Sequence, residues 1–510
     1  MVRTQSRAFI AMATALIASA VLAGASPAAA QDKDTLVIAT PSDVISWDVL
    51  GTLHSAGMPI YRSVFDSPLV QSPELKLGPN IVTEWKWIGD DGKTLELTFR
   101  DDVYFHNGDK LTADDFRFTY FERLAADPKL AIAAIFRDVF EDIQVVSPTK
   151  AVVKFKRVMP TVLDWWASMN NFIIPKRYFT ATGKDAFIEK PVGSGPYSFV
   201  EHQRGARIVL EANDKYWNGK AKFRRVVFEI VRDPSARVAV IQSQKVDIAE
   251  VPVREADRLG KIQGLVGRIE PTSSILMLHM RNDGAFKDEN VRLAAHHAID
   301  KAGIARAFYL GKALPISVPG NRSMPGYPAD FNFAYDPKAA ADLLAKSGFS
   351  PAKPVKLKMY STNGVYPSDW EIARAIVAMW GKVGIQAELE PVEMSKYYEL
   401  NYAGKLPEAT LWQWANPTND PELFAGYMLN PAARFSVWKT DDMAEKLKPL
   451  LVEPNYEKRI AGYAALNRYA VEHGYTIPLV QVAAAVVHRA GLNFTWYQNG
   501  WYEPYRIGPK

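Results

Sequence analysis

The sequence contains no cysteine among its 510 residues. This absence excludes disulfides, thiolate metal ligands, cysteine nucleophiles and lipid attachment through a cysteine. Charges of the two signs nearly balance, with 61 Lys and Arg against 56 Asp and Glu, so the surplus of +5 is too small to indicate nucleic-acid binding. Hydrophobic residues make up 48% and charged residues 23%, which is typical of a globular protein and excludes a disordered one.

Sequence motifs that mark common enzymes are missing as well. The eight histidines are scattered, and none belongs to an HExxH motif or to a helical i, i+4 pair. Gly193-Ser194-Gly195 is not a G-x-S-x-G elbow, because glycine flanks the serine directly. No P-loop or dinucleotide fingerprint occurs. A glycosidase-type enzyme stays open as an alternative because carboxylates are plentiful. The sequence itself predicts no catalytic residue, no metal ligand and no cofactor.

The N-terminus has the pattern of a secretory signal. Arg3 and Arg7 precede an apolar run over residues 8–23, and small residues follow up to Ala28-Ala29-Ala30. The apolar run is shorter than the roughly 20 residues of a spanning helix, and an A-x-A ending is typical of a cleavage site. We predict that residues 1–30 are a cleaved signal peptide and that the mature protein is exported.

Hydrophobic periodicity predicts a strand-rich first half and a regular α/β second half. Strands are predicted at 36–40, 85–88, 94–99, 143–146, 151–155, 197–201, 206–211, 225–231, 248–251, 355–360, 385–390 and 409–414. Helices are predicted to begin at the capping boxes Thr112–Asp115 and Ser368–Glu371, at Pro234 and Asp336-Pro337, and to cover 291–307 and 456–472. The strand–helix–strand order over 355–390 predicts a right-handed βαβ unit, in which the two strands are parallel.

Five stretches carry a resemblance to a known family. They are Leu95–Tyr120 with its Phe-His-Asn-Gly turn, Pro191–Val200 followed by Asn213–Trp217, Phe286–Ile304, Tyr335–Gly348, and Ile372–Ile385 ending in Lys-Val-Gly-Ile. Occurring in this order over nearly all of the mature chain, they resemble the family-5 extracellular solute-binding proteins, the peptide/nickel-binding class of ABC importers.

The resemblance implies an α/β, bilobal periplasmic-binding-protein fold of class II, cluster C type, with an extra subdomain in the first lobe. We expect the first lobe over residues 31–275, with the subdomain at about 75–190. The second lobe is expected over residues 276–484, and residues 485–510 are expected to return to the first lobe. These boundaries are drawn at apolar strands that could cross between the lobes.

The function implied by the resemblance is that of a periplasmic binding protein without catalysis. Such a protein closes two lobes over a peptide or a related oligomeric solute and delivers it to the permease of an ABC transporter. We expect a monomer that binds neither nucleic acid nor a cofactor. The absence of a lipid-carrying cysteine favours a freely diffusing periplasmic protein.

The expected peptide-end contacts are missing. In dipeptide-binding relatives, an Asp near a Trp…Asp-Pro stretch holds the amino group, and an Arg after a second-lobe strand holds the carboxylate. Here Asn416 and Pro417 stand where the acid is expected, and the loop Ser361–Tyr366 contains no Arg. A free dipeptide is therefore disfavoured, whereas longer peptides and neutral oligosaccharides both stay open.

Ligand-binding candidates follow from this comparison and from the loops at strand ends. On the second lobe, Trp412 and Trp414 share one face of a predicted strand and can stack on a ligand, while Gln413 takes the other face. In the first lobe, the loop after the first strand supplies a further aromatic candidate, because crevice sites lie beyond the carboxyl ends of strands. The full set of predicted ligand-binding residues is Trp47, His54, Arg281, Asn363, Trp412, Trp414 and Asn416.

Overall fold

The computed structural model describes residues 34–136 and 138–510. The predicted signal peptide, residues 1–30, lies outside these residues. Among the helices within the two described ranges, none combines the length and the apolar character that crossing a membrane requires.

The strands form one large mixed sheet and three smaller antiparallel ones. In chain order they are β1 (Thr35–Thr40), β2 (Leu69–Gln71), β3 (Leu77–Pro79), β4 (Val82–Trp87), β5 (Thr94–Phe99), β6 (Phe140–Ser147), β7 (Lys150–Phe155), β8 (Tyr197–Gln203), β9 (Arg207–Ala212), β10 (Arg225–Ile230), β11 (Ile248–Glu250), β12 (Leu265–Met280), β13 (Leu314–Pro315), β14 (Val355–Ser361), β15 (Ile385–Pro391), β16 (Ala409–Trp414), β17 (Ile477–Arg489), β18 (Leu492–Asn493) and β19 (Gly508–Pro509). The large sheet has the order β15-β14-β16-β12-β17-β11-β1-β10-β9-β8, with β13 paired to β17.

The α-helices of the described residues are given next in chain order. They are α1 (Met58–Val64), α2 (Ala113–Arg117), α3 (Arg123–Ala126), α4 (Ala131–Phe136), α5 (Val162–Ala167), α6 (Lys176–Glu189), α7 (Pro234–Gln242), α8 (Val253–Leu259), α9 (Glu289–His297), α10 (Lys301–Tyr309), α11 (Pro337–Lys346), α12 (Asp369–Val383), α13 (Met394–Tyr402), α14 (Glu422–Met428), α15 (Asp441–Leu450) and α16 (Tyr456–Glu472). A π-helical turn, Phe118–Glu122, joins α2 to α3.

Two long strands, β12 and β17, join the two halves of the large sheet. They pair with each other antiparallel, and their register breaks between Pro271 and Ile275. One half of the sheet, which contains β1 and β8–β11, is called the first lobe here, and the half with β14–β16 is called the second lobe. The segment 271–275 with its partner residues 481–483 is called the crossover. The predicted boundaries near residues 276 and 485 lie on these two strands and stay predictions.

The strand directions bring loops from both lobes toward the crossover. β1 is parallel to β11, and β11 is antiparallel to β17, so β1 runs in the same direction as β12. β16 is antiparallel to β12 and parallel to β14, so these two strands run in the opposite direction. The carboxyl ends of β1, β14 and β16 therefore point toward each other across the crossover, which is where ligands bind in open α/β sheets.

Two hydrophobic cores support this arrangement. The first draws mainly on residues 36–228 and 486–507, and the second mainly on residues 241–487. A separate four-stranded sheet of order β4-β5-β7-β6 packs within the first core. Helix α14 belongs to both cores, because Leu423 and Tyr427 contact the first while Phe424 and Met428 contact the second.

Many local predictions are confirmed. The strand 409–414 and the helix 456–472 have the predicted bounds. Thr112 and Asp115 form the predicted capping box, and Asp336 accepts a hydrogen bond from the backbone N–H of Ala339 at the start of α11. The unit β14–α12–β15 is parallel, as its order predicted.

Two local predictions are wrong. The helix predicted over 291–307 is divided into α9 and α10, because Asp300 caps a new helix by accepting from the backbone N–H of Gly303 at 2.7 Å. Ser368 forms no capping box, because its φ of 58° is left-handed and its side chain makes no cap hydrogen bond. The neighbouring Asp369 instead accepts hydrogen bonds from the preceding loop and from the N–H of Trp370.

Candidate functional site

Three loops follow the strands that converge at the crossover. They comprise residues 41–57 after β1, 362–368 after β14 and 415–421 after β16, and are called the cleft loops here. None of them contains Lys or Arg. Exposed side chains on both sides of the crossover include Ile45 at 60%, Leu53 at 41% and Val365 at 45% of their surface. The cleft loops thus present uncharged side chains to solvent from both lobes.

The loop 41–57 is held in place by Asp43. Its carboxylate accepts the backbone N–H of Val44 at 2.7 Å and that of Gly205 at 2.7 Å, and lies 2.8 Å from Nε2 of His202. These contacts tie the loop to the hairpin of β8 and β9. The first-lobe wall of the cleft is therefore preformed by the protein's own hydrogen bonds.

Trp47 lies in the core of the first lobe. Its side chain is 2% exposed, its indole N–H donates to Nδ1 of His202 at 3.1 Å, and its ring contacts Tyr61 and Phe199. As a result, the ring presents almost no surface to the cleft.

His54 occupies the opposite end of the same loop and is half-buried. Its Nε2 lies 3.0 Å from the hydroxyl of Ser42, whereas its Nδ1 is buried without a hydrogen-bond partner. Burial lowers the pKa of His54, and the nearby Asp43 offsets part of this decrease. The imidazole is therefore neutral at pH 7, with one ring nitrogen unused.

The two tryptophans of β16 differ in exposure. Both rings contact His279 and Phe435, which confirms that they share one face of the strand. Trp412 is 4% exposed and stacks on Tyr397 with ring centroids 3.8 Å apart, whereas Trp414, nearer the crossover, is partly exposed. Trp414 is the tryptophan of this pair that offers ring surface near the cleft.

Asn416 is fully buried, and its side-chain amide makes hydrogen bonds within the loop 415–421. Its Nδ2 donates to the backbone carbonyl of Asp420 at 2.9 Å, and its Oδ1 accepts from the hydroxyl of Thr418 at 2.9 Å. At the crossover, Ser273 donates to the carbonyl of Asn416 at 2.8 Å. Asn416 therefore shapes the loop rather than offering free hydrogen-bonding groups to the cleft.

The loop 362–368 wraps around a buried carboxylate, Asp369, which is 2% exposed. The side chain of Asn363 is exposed at the tip of this loop, next to Gly364, whose φ is +83°. Asn363 and Trp414 thus lie at the carboxyl ends of β14 and β16, respectively, on the second-lobe side of the cleft.

Arg281 lies apart from the other predicted site residues. It follows the end of β12 that points away from the crossover, which places it about 20 Å from Ile275 at the usual rise per strand residue. Its guanidinium pairs with Asp283 and donates to the carbonyl of Leu406. The structure therefore does not bring Arg281 to the cleft loops.

A buried ionic cluster joins the two lobes beside the cleft. Arg459 forms a bidentate pair with Asp420 and lies 3.7 Å from Glu422. Asp164 on α5 approaches these groups from the first core, and Gln71 donates to the carbonyl of Pro417 at 2.9 Å nearby. Burial, together with the charge of Asp420, raises the pKa of Asp164 and of Glu422 to about 8 each.

Sequence reasoning missed this cluster and the buried role of Asp369. The residues of the cluster lie on three separate segments, and Asp164 and Arg459 are far apart in the chain. The Asn-Asp-Pro-Glu run at 419–422 is the one local signal, since two acids at the start of a helix attract a cation. Nothing in the sequence indicates which cation meets them.

Comparison with known proteins gives consistent results. The model of the family "Bacterial extracellular solute-binding proteins, family 5 Middle" matches residues 76–435. The dipeptide-binding protein of Escherichia coli (strain K12) is 25% identical over 450 residues, covering 81% of this chain and 82% of the relative. The oligopeptide-binding protein AppA of Bacillus subtilis (strain 168) is 25% identical over 379 residues, covering 70% of this chain and 69% of the relative.

The fold is similar to that of solved structures. The crystal structure of NikA from Brucella suis in complex with Fe(III)-EDTA aligns with a TM-score of 0.84 at 21% identity, covering 93% of this chain and all of that one. The predicted fold class, a bilobal periplasmic-binding-protein fold of mixed α/β type, is thereby confirmed.

Proposed function

The chain belongs to family 5 of the bacterial extracellular solute-binding proteins, and from this premise we propose that it is the periplasmic binding component of an ABC importer. It captures peptides or related oligomeric solutes between its two lobes and passes them to a membrane permease without changing them chemically. It acts as a monomer, and its first 30 residues direct its export.

The observation that carries this proposal is the convergence of the cleft loops on the crossover. A ligand that touches the ends of β1, β14 and β16 together stabilises the closed arrangement of the lobes, because it gains contacts that the open arrangement lacks. The crossover consists of only two strands, and the break in their register near Pro271 suits a hinge.

We assign the predicted site residues to two roles. Trp414, Asn363 and His54 contact the ligand, since each lies in or beside a cleft loop and is at least partly exposed. The buried residues Trp47, Trp412 and Asn416 hold the walls in shape. Arg281, paired at the far end of β12, takes no part in binding.

A peptide or another oligomer is the favoured ligand class. The relatives named above are dipeptide- and oligopeptide-binding proteins, and the family relationship supports a similar ligand here. The second candidate, a neutral oligosaccharide, is favoured by one observation, the partly exposed Trp414, because a tryptophan ring can stack on the apolar face of a sugar.

A thermal-shift screen tests the proposal. The mature chain, residues 31–510, is unfolded and refolded to remove carried-over ligand and screened against di- to pentapeptides and neutral oligosaccharides. A ligand at 100 times its Kd stabilises the protein by about 2.7 kcal/mol, which shifts the melting temperature measurably. A peptide hit supports the favoured ligand, and a hit only among the sugars supports the second candidate. Chemical conversion of a bound oligomer would contradict a pure binding function.

A further inference from the structure

The loop 362–368 forms an anion-binding nest that the protein fills itself. The carboxylate of Asp369 accepts backbone N–H groups from Gly364 at 2.8 Å, Val365 at 3.1 Å and Tyr366 at 3.1 Å. It also accepts the hydroxyl of Thr362 at 2.7 Å and the N–H of Trp370 at 2.8 Å. Successive backbone N–H groups at a helix N-terminus are a common site for anions, and here a side chain occupies it.

The location of this nest matters for the ligand. It lies at the carboxyl end of β14, on the second-lobe side of the cleft. The 15-residue helix α12 begins at this nest, with its N-terminus at Asp369. A ligand carboxylate arriving there would find the N–H groups already bonded, and no Lys or Arg in the cleft loops to pair with instead.

The acids of the cleft loops are engaged in the same way. Asp43 accepts from the backbone and lies within hydrogen-bond distance of His202, Asp48 pairs with Arg123 at 2.9 Å, and Asp420 pairs with Arg459. A ligand ammonium would therefore have to compete with a cation or a backbone donor that the protein already supplies. Free hydrogen-bonding capacity is left on exposed neutral groups such as the side-chain amide of Asn363.

We propose that Asp369 is a specificity-determining and positioning residue, which fills the nest so that the cleft takes an uncharged ligand segment. This inference rests on the proposed function and narrows its ligand class to the interior of a peptide, or another neutral stretch, rather than a charged terminus. Asp369 acts without touching the ligand, because it holds Asn363 and Val365 at the tip of the loop.

The first experiment uses the wild-type protein and matched probes. Isothermal titration compares Ala-Phe-Ala with its C-terminal amide, and a neutral trisaccharide with the corresponding uronic acid. The neutral member of a pair is expected to bind as tightly as the acid or more tightly. An acid that binds about 10-fold tighter, the effect of one charge-assisted hydrogen bond, overturns the proposal.

The second experiment does not depend on which solute binds. In Asp369→Ala the nest is emptied, and sodium formate at constant ionic strength is expected to restore hydrogen-exchange protection at the amides of Gly364, Val365 and Tyr366. The wild type, and Asp336→Asn at the N-terminus of α11, are expected to show no response to formate. If Asp369→Ala fails to fold, Asp369→Ser replaces it.

The outcomes separate this inference from the proposed function. If no peptide or sugar binds, the proposed ligand class is wrong, while the formate result still tests whether Asp369 fills the nest. A folded Asp369 variant whose loop amides ignore formate overturns the inference even where a peptide binds. Rescue by formate, together with indifference of the wild type to a ligand carboxylate, supports it.

Discussion

The two lobes place a tryptophan near the cleft in different ways. In the first lobe, Trp47 is buried among Tyr61 and Phe199, and its N–H is bonded to His202. In the second lobe, Trp414 contacts Phe435 and His279 and remains partly exposed. One wall of the cleft is therefore a closed structural unit, whereas the other offers an aromatic surface.

This difference separates residues that hold the cleft from residues that meet the ligand. A tryptophan whose N–H and both faces are used by the protein contributes to the stability of the fold. A tryptophan with free ring surface contributes to binding. We therefore expect substitution of Trp47 to lower the stability of the fold and substitution of Trp414 to weaken ligand binding.

The largest expected effect is that of Trp47→Ala. Removing this buried ring leaves a cavity and an unpaired ring nitrogen on His202, so the free energy of unfolding should fall by about 3–5 kcal/mol. Urea denaturation measures the loss, and Trp47→Phe is the control that retains most of the ring volume. A loss below about 1 kcal/mol combined with weaker ligand binding would instead place Trp47 in the site.

A loss of similar size is expected for Arg459→Met. The substitution leaves the buried Asp420, with the partly buried Glu422 and Asp164 beside it, without their shared cation, and breaking a buried pair in this way costs about 3–5 kcal/mol. The matched control is Arg468→Met on the same helix, where the exposed pair with Glu472 is worth less than about 1 kcal/mol. Denaturation measures the free energy of unfolding of both variants. Equal losses would show that the ionic cluster does not stabilise the contact between the lobes.

The ionic cluster also predicts a dependence on pH. The pKa of Glu422 is raised to about 8 in the folded protein, so folding takes up a proton between its ordinary value near 4.5 and about 8. The stability contributed by this group is therefore fully present at low pH and is lost as the pH rises toward 8. Its neighbours in this interface are Asp164, Asp420, Arg459 and Arg157.

Glu422→Gln tests this dependence, since it mimics the protonated acid at every pH. The variant should gain stability over the wild type at pH 8, by more than about 1 kcal/mol relative to the difference at pH 5. Glu472→Gln, an exposed acid, serves as the control and should show no such trend. A difference that is constant from pH 5 to pH 8 would mean that Glu422 is charged throughout.

The smallest effect concerns the second-lobe wall itself. Trp414→Ala should weaken ligand binding by about 1 kcal/mol, or roughly 5-fold, through the loss of ring contact. Trp412→Ala should instead lower the free energy of unfolding, because Trp412 stacks on Tyr397 in a buried cluster. Ligand titration and denaturation are measured for both variants. If Trp414→Ala lowered the free energy of unfolding without changing the affinity, the assignment of Trp414 to ligand binding would be wrong.

Residues close together in the chain made much of the fold predictable. The apolar run over 409–414, the helical spacing over 456–472 and the cap at Asp336 are local patterns, and each was confirmed. The helix predicted over 291–307 failed at Asp300, where a cap in mid-pattern restarts the helix. The predicted cap at Ser368 failed because the adjacent Asp369 bonds the preceding loop.

The candidate site could be predicted only in outline. The five family stretches indicate two lobes with a cleft between them, and strand ends indicate which loops reach it. The exposure of each tryptophan depends on partners such as His202, which is 155 residues from Trp47. No local pattern distinguishes Trp412 from Trp414, since both alternate correctly along β16.

By itself, the sequence determined the class of fold, the family and most helices and strands, because backbone periodicity and caps act within a few residues. The tertiary structure alone decided which side chains are buried or hydrogen-bonded within the protein and which remain free to contact a ligand. Burial and hydrogen bonding depend on groups that the chain brings together from distant positions, such as Asp164 with Arg459. These two residues come close to each other only in the folded protein, where the two lobes meet beside the crossover.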